Sequence, residues 1–258
     1  MNSSVGDGDS DACLVLVDYD NAFPPSSALS DEEIALEVSR WLRDLSARHE
    51  TVGRFDIRLY GGWYDASDLS RHGSEVARVM TAMPQFPTVL RDGRILRGDI
   101  TLAVSPLAAG HTSPLLGTYR QRGSLPRIRL SRQPYPDACA KIDATCPAAI
   151  LKSFTKHSGR ACPVESCTLV ASDAFVVHEQ KMVDTLLATD ILTVGHLPTA
   201  YSAVVVVSGD SDFVPPLLAA KLTNDVRFVQ LVPRAEEASQ YATGVLSAAG
   251  IEIVEVSA

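Results

Sequence analysis

The chain has 258 residues, of which 46% are hydrophobic and 21% are charged, and its formal net charge is -8. This composition is typical of a soluble globular protein large enough for one large domain or two small ones. No run of 18 apolar residues indicates a membrane span. The stretch 1–11 is polar and acidic and lacks the pattern of a secretory signal, so we expect a disordered leader and a cytoplasmic protein.

The first part of the chain predicts alternating strands and helices. Residues 13–21, CLVLVDYDN, are a short apolar run ending in acids, which is typical of a buried parallel strand. An SDEE motif with capping-box spacing opens a helix predicted over 31–49, where apolar residues recur at helical intervals. Residues 54–65 predict a second strand and loop, and a helix is expected over 73–82.

The remaining elements begin with a hairpin and return to strands and helices. Asp-Gly between apolar flanks predicts the hairpin over 88–96. The later expected elements are strands at 99–106, 126–132 and 167–177, a helix at 179–192, a strand at 203–207, a helix from 213, a strand at 226–232, a helix at 235–250 and a strand at 251–256. This order predicts an α/β fold with an open, mostly parallel sheet flanked by helices, and a basic β-rich insertion in the middle.

Basic residues are concentrated in the middle of the chain. From Thr88 to Arg160 there are twelve basic and four acidic residues, a balance of +8, whereas the rest of the chain carries -16. Such asymmetry is typical of a polyanion-binding surface beside an acidic centre, although a merely solvated surface gives the same pattern. The candidate nucleic-acid contacts are Arg91, Arg94, Arg97, Arg120, Arg122, Arg127, Arg129 and Arg132.

Acidic residues follow two of the predicted strands. Asp18 and Asp20 lie at the carboxyl end of the first strand, and Asp210 and Asp212 lie just beyond the AVVVV strand. Ligands of open parallel sheets collect at the carboxyl ends of strands, so the four carboxylates converge if these strands are neighbours. Asp184, early in its predicted helix, would point into the same crevice. Close carboxylates raise each other's pKa, and a cation such as Mg²⁺ or Mn²⁺ relieves this repulsion.

Helix capping is the alternative explanation for the second acidic pair. Ser208, Asp210, Ser211 and Asp212 all precede the helix expected from 213, and Ser and Asp are preferred at helix N-termini. Capping explains a single acid readily. It explains four acids from two buried strand ends less well.

Four motifs in this order resemble the NYN domain, a branch of the PIN-like ribonucleases that includes the LabA-like proteins: LVLVDYDNAF, YGGWYD, EQKMVDTLLATDIL and VVVVSGDSDFVPPL. The resemblance covers residues 12–66 and 175–256. It implies a PIN-like catalytic domain over 12–85 and 168–258, interrupted by the insertion at 86–167. It also implies a metal-dependent endoribonuclease with Mg²⁺ or Mn²⁺ as its cofactor and RNA as its substrate.

The resemblance also implies roles for individual residues. Four acids would hold the metal, directly or through water: Asp18, Asp184, Asp210 and Asp212. Asn21 and Ser208 would orient a ligand carboxylate, water or phosphate, and Lys181 would offset negative charge. Met182 stands where the family pattern leads us to expect Gly, a change we expect a helix to tolerate. The insertion has no family counterpart, and we expect it to guide RNA, bind a protein partner or occlude the crevice.

Two other functions fit parts of the sequence. A non-catalytic module on the same fold would use the crevice and the insertion to bind RNA or a protein partner. The Asp-x-Asp near the start, a later Lys and a late Gly-Asp are also similar to the haloacid dehalogenase phosphatases. Ala22 stands where that family has Thr or Val, so the phosphatase is the minor alternative.

Cysteines and aromatic residues supply two further hypotheses. A structural zinc site is one use for four cysteines, with His157 among them: Cys139, Cys146, Cys162 and Cys167. Small apolar core thiols are the alternative, and five cysteines without a secretory signal favour reduced thiols. Trp63 and Tyr64 are candidates either for stacking on a base or for packing beneath the Gly61-Gly62 turn.

Overall fold

The computed structural model describes residues 11–109, 113–122, 147–164, 166–175, 177–233 and 240–255. Contacts divide the chain into two units, the first formed by 1–118 with 180–258 and the second by 119–179. Across the described ranges, no helix combines the length and apolar character needed to cross a membrane. Nearly all of the expected leader and the strand expected at 126–132 lie outside these ranges.

The strands place a parallel sheet at the centre of the first unit. In chain order the described strands are β1 (Asp11–Asp18), β2 (Val52–Tyr60), β3 (Tyr64–Asp65), β4 (Asp68–Leu69), β5 (Thr88–Val89), β6 (Ile95–Leu102), β7 (Tyr119–Arg122), β8 (Val177–Gln180), β9 (Tyr201–Val207), β10 (Arg227–Val232) and β11 (Glu252–Glu255). Seven of them form one sheet in the order β11-β10-β9-β1-β2-β6-β5. All neighbours are parallel except β5 and β6.

Helices of the first unit cover both faces of this sheet. In chain order the described helices of the whole chain, of which α4 and α5 belong to the second unit, are α1 (Tyr19–Ala22), α2 (Asp31–Arg48), α3 (Arg71–Met80), α4 (Pro147–Phe154), α5 (Ala171–Ala174), α6 (Val183–Thr193), α7 (Val214–Thr223) and α8 (Gln240–Ala248). On β1, Val15 and Val17 belong to one core with α2 and α3, whereas Leu14 and Leu16 belong to a second core with α6, α7 and α8. The predicted α/β sheet flanked by helices is therefore confirmed.

Local sequence signals determine where α2 begins and which of its faces is buried. The Ser30 hydroxyl accepts a hydrogen bond from the Glu33 backbone N–H at 3.3 Å, and the Glu33 carboxylate accepts one from the Ser30 N–H at 2.7 Å. This is the capping box that the SDEE motif predicts. The buried stripe of the helix is Ile34, Ala35, Val38, Trp41, Leu42 and Leu45. These residues cover the sheet face that carries Val15 and Val17.

The predicted hairpin forms, but it extends the main sheet instead of belonging to a separate insertion. β6 pairs in parallel with β2, and β5 folds back against it. Gly98 makes this pairing possible, because its φ is 142° and a Cβ there would lie 1.8 Å from the Phe55 carbonyl oxygen. The contact division accordingly begins the second unit at Tyr119, not at residue 86, and ends it at Glu179, not at residue 167.

Two expected elements after residue 166 differ from the structure. The stretch 167–177 is not one strand, since it holds an isolated bridge from Val170 to Ala161 and then the short helix α5. Short apolar runs do not distinguish strands from helices by periodicity alone. The helix expected at 179–192 begins only at Val183, and Met182 before it has a left-handed φ of 65°.

Candidate active site

The two acid-bearing strands, β1 and β9, are neighbours at the centre of the sheet. Val17 pairs with Val207, so Asp18 and Ser208 come next to each other at the carboxyl ends of the two strands. From β1 the sheet continues through β2 on one side and through β9 on the other. This reversal of strand order is where open parallel sheets form their ligand crevices. The four carboxylates are expected to converge only if these two strands are neighbours, and the structure shows that they are.

Asp18 is the most buried acid of this crevice. It is 9% exposed, and one of its carboxylate oxygens accepts a 2.9 Å hydrogen bond from the Ser208 hydroxyl. Burial, the largest cause, raises the Asp18 pKa to about 7. The Ser208 hydrogen bond opposes this rise, and the charges of Asp184, Asp210 and Asp20 add to it. Asp18 therefore faces three other carboxylates from a poorly hydrated position.

The loop after β9 is tied to Asp18 and to Asn21. The fully buried Ser208 hydroxyl also accepts a hydrogen bond from the Asp210 N–H at 3.0 Å. Asn21 accepts one from the Gly209 N–H at 2.7 Å, and the Ser208 carbonyl accepts one from the Gln230 side chain at 3.0 Å. Ser208 and Asn21 thus position the acid-bearing loop. Sequence reasoning missed Gln230, although it is a lone amide inside the apolar stretch VRFVQLV.

Asp210 combines the capping role and the crevice role. Its carboxylate accepts a 2.9 Å hydrogen bond from the Asp212 N–H and so caps the 3-10 turn Ser211–Phe213 that leads into α7. The same acid acts electrostatically on Asp184, whose pKa is raised first by burial and then by Asp210 and Asp212. Helix capping and a place in the acidic crevice are therefore compatible explanations for Asp210.

Asp184 and Lys181 flank the start of α6. Asp184 lies in the first turn of α6, and its charge raises the Asp18 pKa, as expected for an acid facing the crevice. Lys181 precedes the helix, and its backbone N–H donates to the Thr118 carbonyl at 2.8 Å. The expected helical setting of Met182 is wrong, because its left-handed φ is a conformation that favours Gly.

Asp20 is held by two side chains that sequence reasoning missed. His72 Nε2 lies 2.9 Å from Asp20 Oδ1, and the Gln180 amide donates to Asp20 Oδ2. The bond to Asp20 is also the main cause that raises the His72 pKa. His72 stacks on Trp63 with ring centroids 5.7 Å apart, and Trp63 is 1% exposed. Trp63 therefore packs in the core, and the base-stacking hypothesis for it is wrong.

Asp190 has a structural role in the second core, which contains α6, α7 and α8. It is fully buried and accepts hydrogen bonds from the Tyr60 hydroxyl at 2.5 Å and the Leu107 N–H at 2.8 Å. Arg58 lies 3.6 Å away and supplies a positive charge. Burial raises the Asp190 pKa, and these three partners lower it. A paired carboxylate of this kind stabilises the contact of α6 with β2.

The crevice suits a hard cation in its chemistry, but its acids do not form a closed set of ligands. Among the described residues, no three His, Cys, Asp or Glu side chains are grouped closely enough to hold a metal ion. The donors are carboxylates, and the charges of their acidic neighbours contribute to the raised pKa values of Asp18 and Asp184; such donors fit Mg²⁺ or Mn²⁺. Mg²⁺ usually binds through one or two carboxylates, with water and substrate phosphate completing its shell. Two of the four acids would suffice for that arrangement.

A family model for the NYN domain matches residues 134–253. The matched segment, somewhat less than half of the chain, is similar to an NYN domain. The resemblance drawn from the four motifs is confirmed, and the α/β sheet is the PIN-like nuclease fold of that domain. No curated protein and no solved structure matched the chain. The matched segment contains Asp184, Ser208, Asp210 and Asp212, and the pairing of β1 with β9 brings Asp18 to them.

The arginines predicted to contact RNA fall into three groups. Arg94 holds the β5–β6 hairpin to the end of α2, since it donates to Asp92 and to the backbone carbonyls of Ser46 and Glu50. Arg91 and Arg97 are exposed. The side chains outside the described residues are those of Arg120, Arg122, Arg127, Arg129 and Arg132.

The described cysteines lie in two environments. Cys13 is buried in β1, and burial raises the pKa of its thiol to about 12. Cys162 and Cys167 are free thiols of intermediate exposure, whereas Cys139 and Cys146 lie outside the described residues. The zinc hypothesis therefore stays a prediction.

Proposed function

We propose that the protein is a Mg²⁺- or Mn²⁺-dependent endoribonuclease that hydrolyses RNA phosphodiester bonds in the crevice between β1, β9 and α6. One observation carries this proposal. β1 and β9 are neighbours, and the Ser208 hydroxyl binds both the buried Asp18 carboxylate and the Asp210 N–H, so acids from two strand ends meet at one place. Acids so placed repel one another unless a proton or a cation intervenes, and the PIN-like nuclease fold favours the cation.

The residues of the crevice have distinct tasks in this proposal. Asp18, Asp184, Asp210 and Asp212 would hold the cation, directly or through water. A bound cation supplies an activated water and stabilises charge on the phosphodiester. Ser208 fixes one carboxylate oxygen of Asp18 and, through the Asp210 N–H, the position of the loop.

Asn21 and Lys181 would act around these acids. Asn21 accepts a hydrogen bond from the Gly209 N–H and so keeps the acidic loop after β9 close to the acidic segment after β1. Lys181 would offset negative charge at the start of α6. The arginines after Thr88 would contact the phosphate backbone of RNA, and such contacts make binding sensitive to salt without reading the base sequence.

Cleavage assays with labelled RNA test the proposal. We expect wild type to cut RNA with Mn²⁺ or Mg²⁺ and to stop on addition of a chelator. Asp18→Asn and Asp210→Asn should each slow cutting at least a hundredfold. Asp225→Asn, which alters an exposed acid between α7 and β10, is the matched control and should cut normally. A matched DNA strand shows whether the sugar is selected.

A non-catalytic module that binds RNA or a protein partner is the second candidate. It is favoured by the lack of a closed three-ligand group among the described acids. Tight RNA binding without cutting, with either metal and at any pH between 6 and 9, would establish it. The phosphatase alternative has less support, because the Asp20 that would act as the general acid is already held by His72 and Gln180.

Two further parts of the proposal concern the protein's surroundings. A cytoplasmic location is what the sequence leads us to expect, and reduced thiols agree with it. A structural zinc ion at the four cysteines would be detected by metal analysis of the purified protein, with loss of the zinc after Cys162→Ser.

A further inference from the structure

His72 holds the second acid of the segment that follows β1. Its Nε2 lies 2.9 Å from Asp20 Oδ1, and both atoms are shielded from solvent. The Gln180 amide donates to the other carboxylate oxygen of Asp20. Asp20 follows the buried Asp18 closely in the chain, and its charge contributes to the raised Asp18 pKa. A charge on His72 therefore acts at the edge of the crevice, because it offsets the charge of Asp20.

The imidazole ring of His72 has a fixed orientation. It stacks on Trp63 with ring centroids 5.7 Å apart and an interplanar angle of 16°, and Tyr19 lies edge-on to it at 6.0 Å. Trp63 and Tyr19 are almost entirely buried, so neither ring can move aside. A cation within about 6 Å of the face of a tryptophan ring is attracted by that ring. The packing and the Asp20 carboxylate therefore both favour the protonated imidazole.

The titratable groups that face His72 in the described part of the chain are Asp20 and Tyr19, from the segment after β1, and Glu75 of α3. The bond to Asp20 raises the His72 pKa most, burial opposes the rise, and the charges of Asp20 and Glu75 add to it. Burial raises the pKa of Tyr19 to about 12, so this phenol stays neutral. The protonated His72 thus has an acid on its own helix and another beside the crevice.

We propose that His72 is a positioning residue for RNA: in its protonated form it neutralises Asp20 beside the crevice, and RNA binding favours that form. This inference rests on the proposed function, because it takes the crevice as the site of an RNA phosphate. The protonated pair of His72 and Asp20 carries no net charge, whereas the pair with a neutral imidazole carries one negative charge. That charge repels a phosphate in addition to the crevice acids. RNA affinity therefore falls as His72 loses its proton.

The pH dependence of RNA affinity tests this inference. A short RNA of fixed sequence is titrated against wild type and His72→Gln between about pH 5.5 and about pH 8.5, in low salt and with a chelator. Wild type should bind about fivefold more tightly than the variant at the acid end, and equally at the alkaline end. The crevice acids titrate in both proteins, so their effect cancels in the ratio of the two affinities. A ratio that does not change with pH would overturn the inference, because a purely structural role of His72 gives a constant ratio.

Proton NMR of wild type measures the same coupling at His72 itself. RNA binding and proton binding are reciprocal, so saturating RNA should raise the pKa of His72 by the amount that the fivefold ratio requires. His72→Gln identifies the resonance by its absence. His196, exposed in the turn Val194–His196, is the internal control, and its pKa should stay nearly constant. A His72 pKa that is the same with and without bound RNA would refute the inference independently of any variant.

Asp20→Asn separates the charge of Asp20 from that of His72. The variant keeps an acceptor for its neighbours but lacks the negative charge that a neutral His72 leaves uncompensated. It should bind RNA about fivefold more tightly than wild type at the alkaline end and about as tightly at the acid end. Asp225→Asn, at an exposed position, should match wild type at both. Asp20→Asn that binds no more tightly than wild type at the alkaline end would contradict the role of Asp20.

These binding measurements are made without divalent metal, so they fail separately from the proposed nuclease. Proton-linked RNA binding without cleavage under Mn²⁺ or Mg²⁺ would count against the nuclease alone. Cleavage together with a ratio that is constant with pH would count against the role of His72 alone. RNA that does not bind at any pH would overturn both.

Discussion

Replacing Asp18 with asparagine tests the electrostatic account of the crevice, because it removes the charge and keeps an acceptor for the Ser208 hydroxyl. The Asp18 pKa is about 7 in the folded protein, against about 3.9 for an aspartate in an unfolded chain. The folded state thus holds this proton more tightly than the unfolded state. Its free energy of unfolding must fall as the pH rises from about 4 to about 7.

The size of the effect follows from the shift. Each pKa unit corresponds to about 1.36 kcal/mol, so the full loss for Asp18 is roughly 4 kcal/mol, of which about 3 kcal/mol develop between pH 5 and pH 8. Asp18→Asn carries no such loss. We therefore expect the variant to gain stability relative to wild type over this range by roughly 3 kcal/mol.

Urea denaturation at pH 5 and pH 8 in the presence of a chelator measures this difference. Asp225→Asn removes an exposed carboxylate and should show a nearly constant difference from wild type. Added Mn²⁺ should narrow the difference at pH 8, because the cation binds to the ionised Asp18 carboxylate of wild type, which the variant lacks. If the difference in unfolding free energy between Asp18→Asn and wild type does not change with pH, burial and the acidic neighbours do not raise the Asp18 pKa, and the electrostatic account is refuted.

Three further substitutions separate positioning, stability and strain. Ser208→Ala removes the hydrogen bond that lowers the Asp18 pKa, so cleavage should reach its maximum at higher pH, with about 1–3 kcal/mol lost from stability. Asp190→Ala leaves the half-buried Arg58 without its buried partner and should cost about 3–5 kcal/mol in denaturation, with unchanged activity per folded molecule. Met182→Gly relieves a left-handed φ at a residue 45% exposed and should raise the unfolding free energy by up to about 1 kcal/mol.

The sequence predicts the sheet well because its signals are local. The apolar runs at β1 and β9 reveal buried parallel strands, and the acids at their ends mark the edge where a crevice forms. What the sequence leaves conditional is whether the two strands are neighbours. The structure meets that condition through the pairing of Val17 with Val207.

The partners of the acids are not predictable in the same way. His72 meets Asp20, and Arg58 meets Asp190, across stretches of chain that no periodic pattern connects. Such contacts depend on how α3 and α6 pack on the sheet, and the residue types alone are compatible with many pairings. Met182 shows a related limit, since a left-handed conformation before a helix is invisible to helical periodicity.

The hydrogen bonds of the crevice imply an order for metal and substrate binding. Asp18 accepts a hydrogen bond from Ser208, Asp210 accepts one from the Asp212 N–H, and Asp20 accepts one from Gln180 and forms an ion pair with His72. These bonds fix the acids at separate places, which agrees with the lack of a closed three-ligand group among the described residues. A cation held by one or two carboxylates and water needs further oxygen ligands, and in the proposed function an RNA phosphate would supply them.

Mn²⁺ should therefore bind weakly to the protein alone and at least tenfold more tightly in the presence of an RNA that cannot be cut, as calorimetry would measure. The coupling must be reciprocal, so Mn²⁺ should tighten RNA binding by the same factor, and Asp210→Asn should abolish both effects. Asp225→Asn should leave both unchanged. Tight Mn²⁺ binding without RNA would contradict this order, because it would require the carboxylates to leave their present hydrogen bonds and close around the ion unaided.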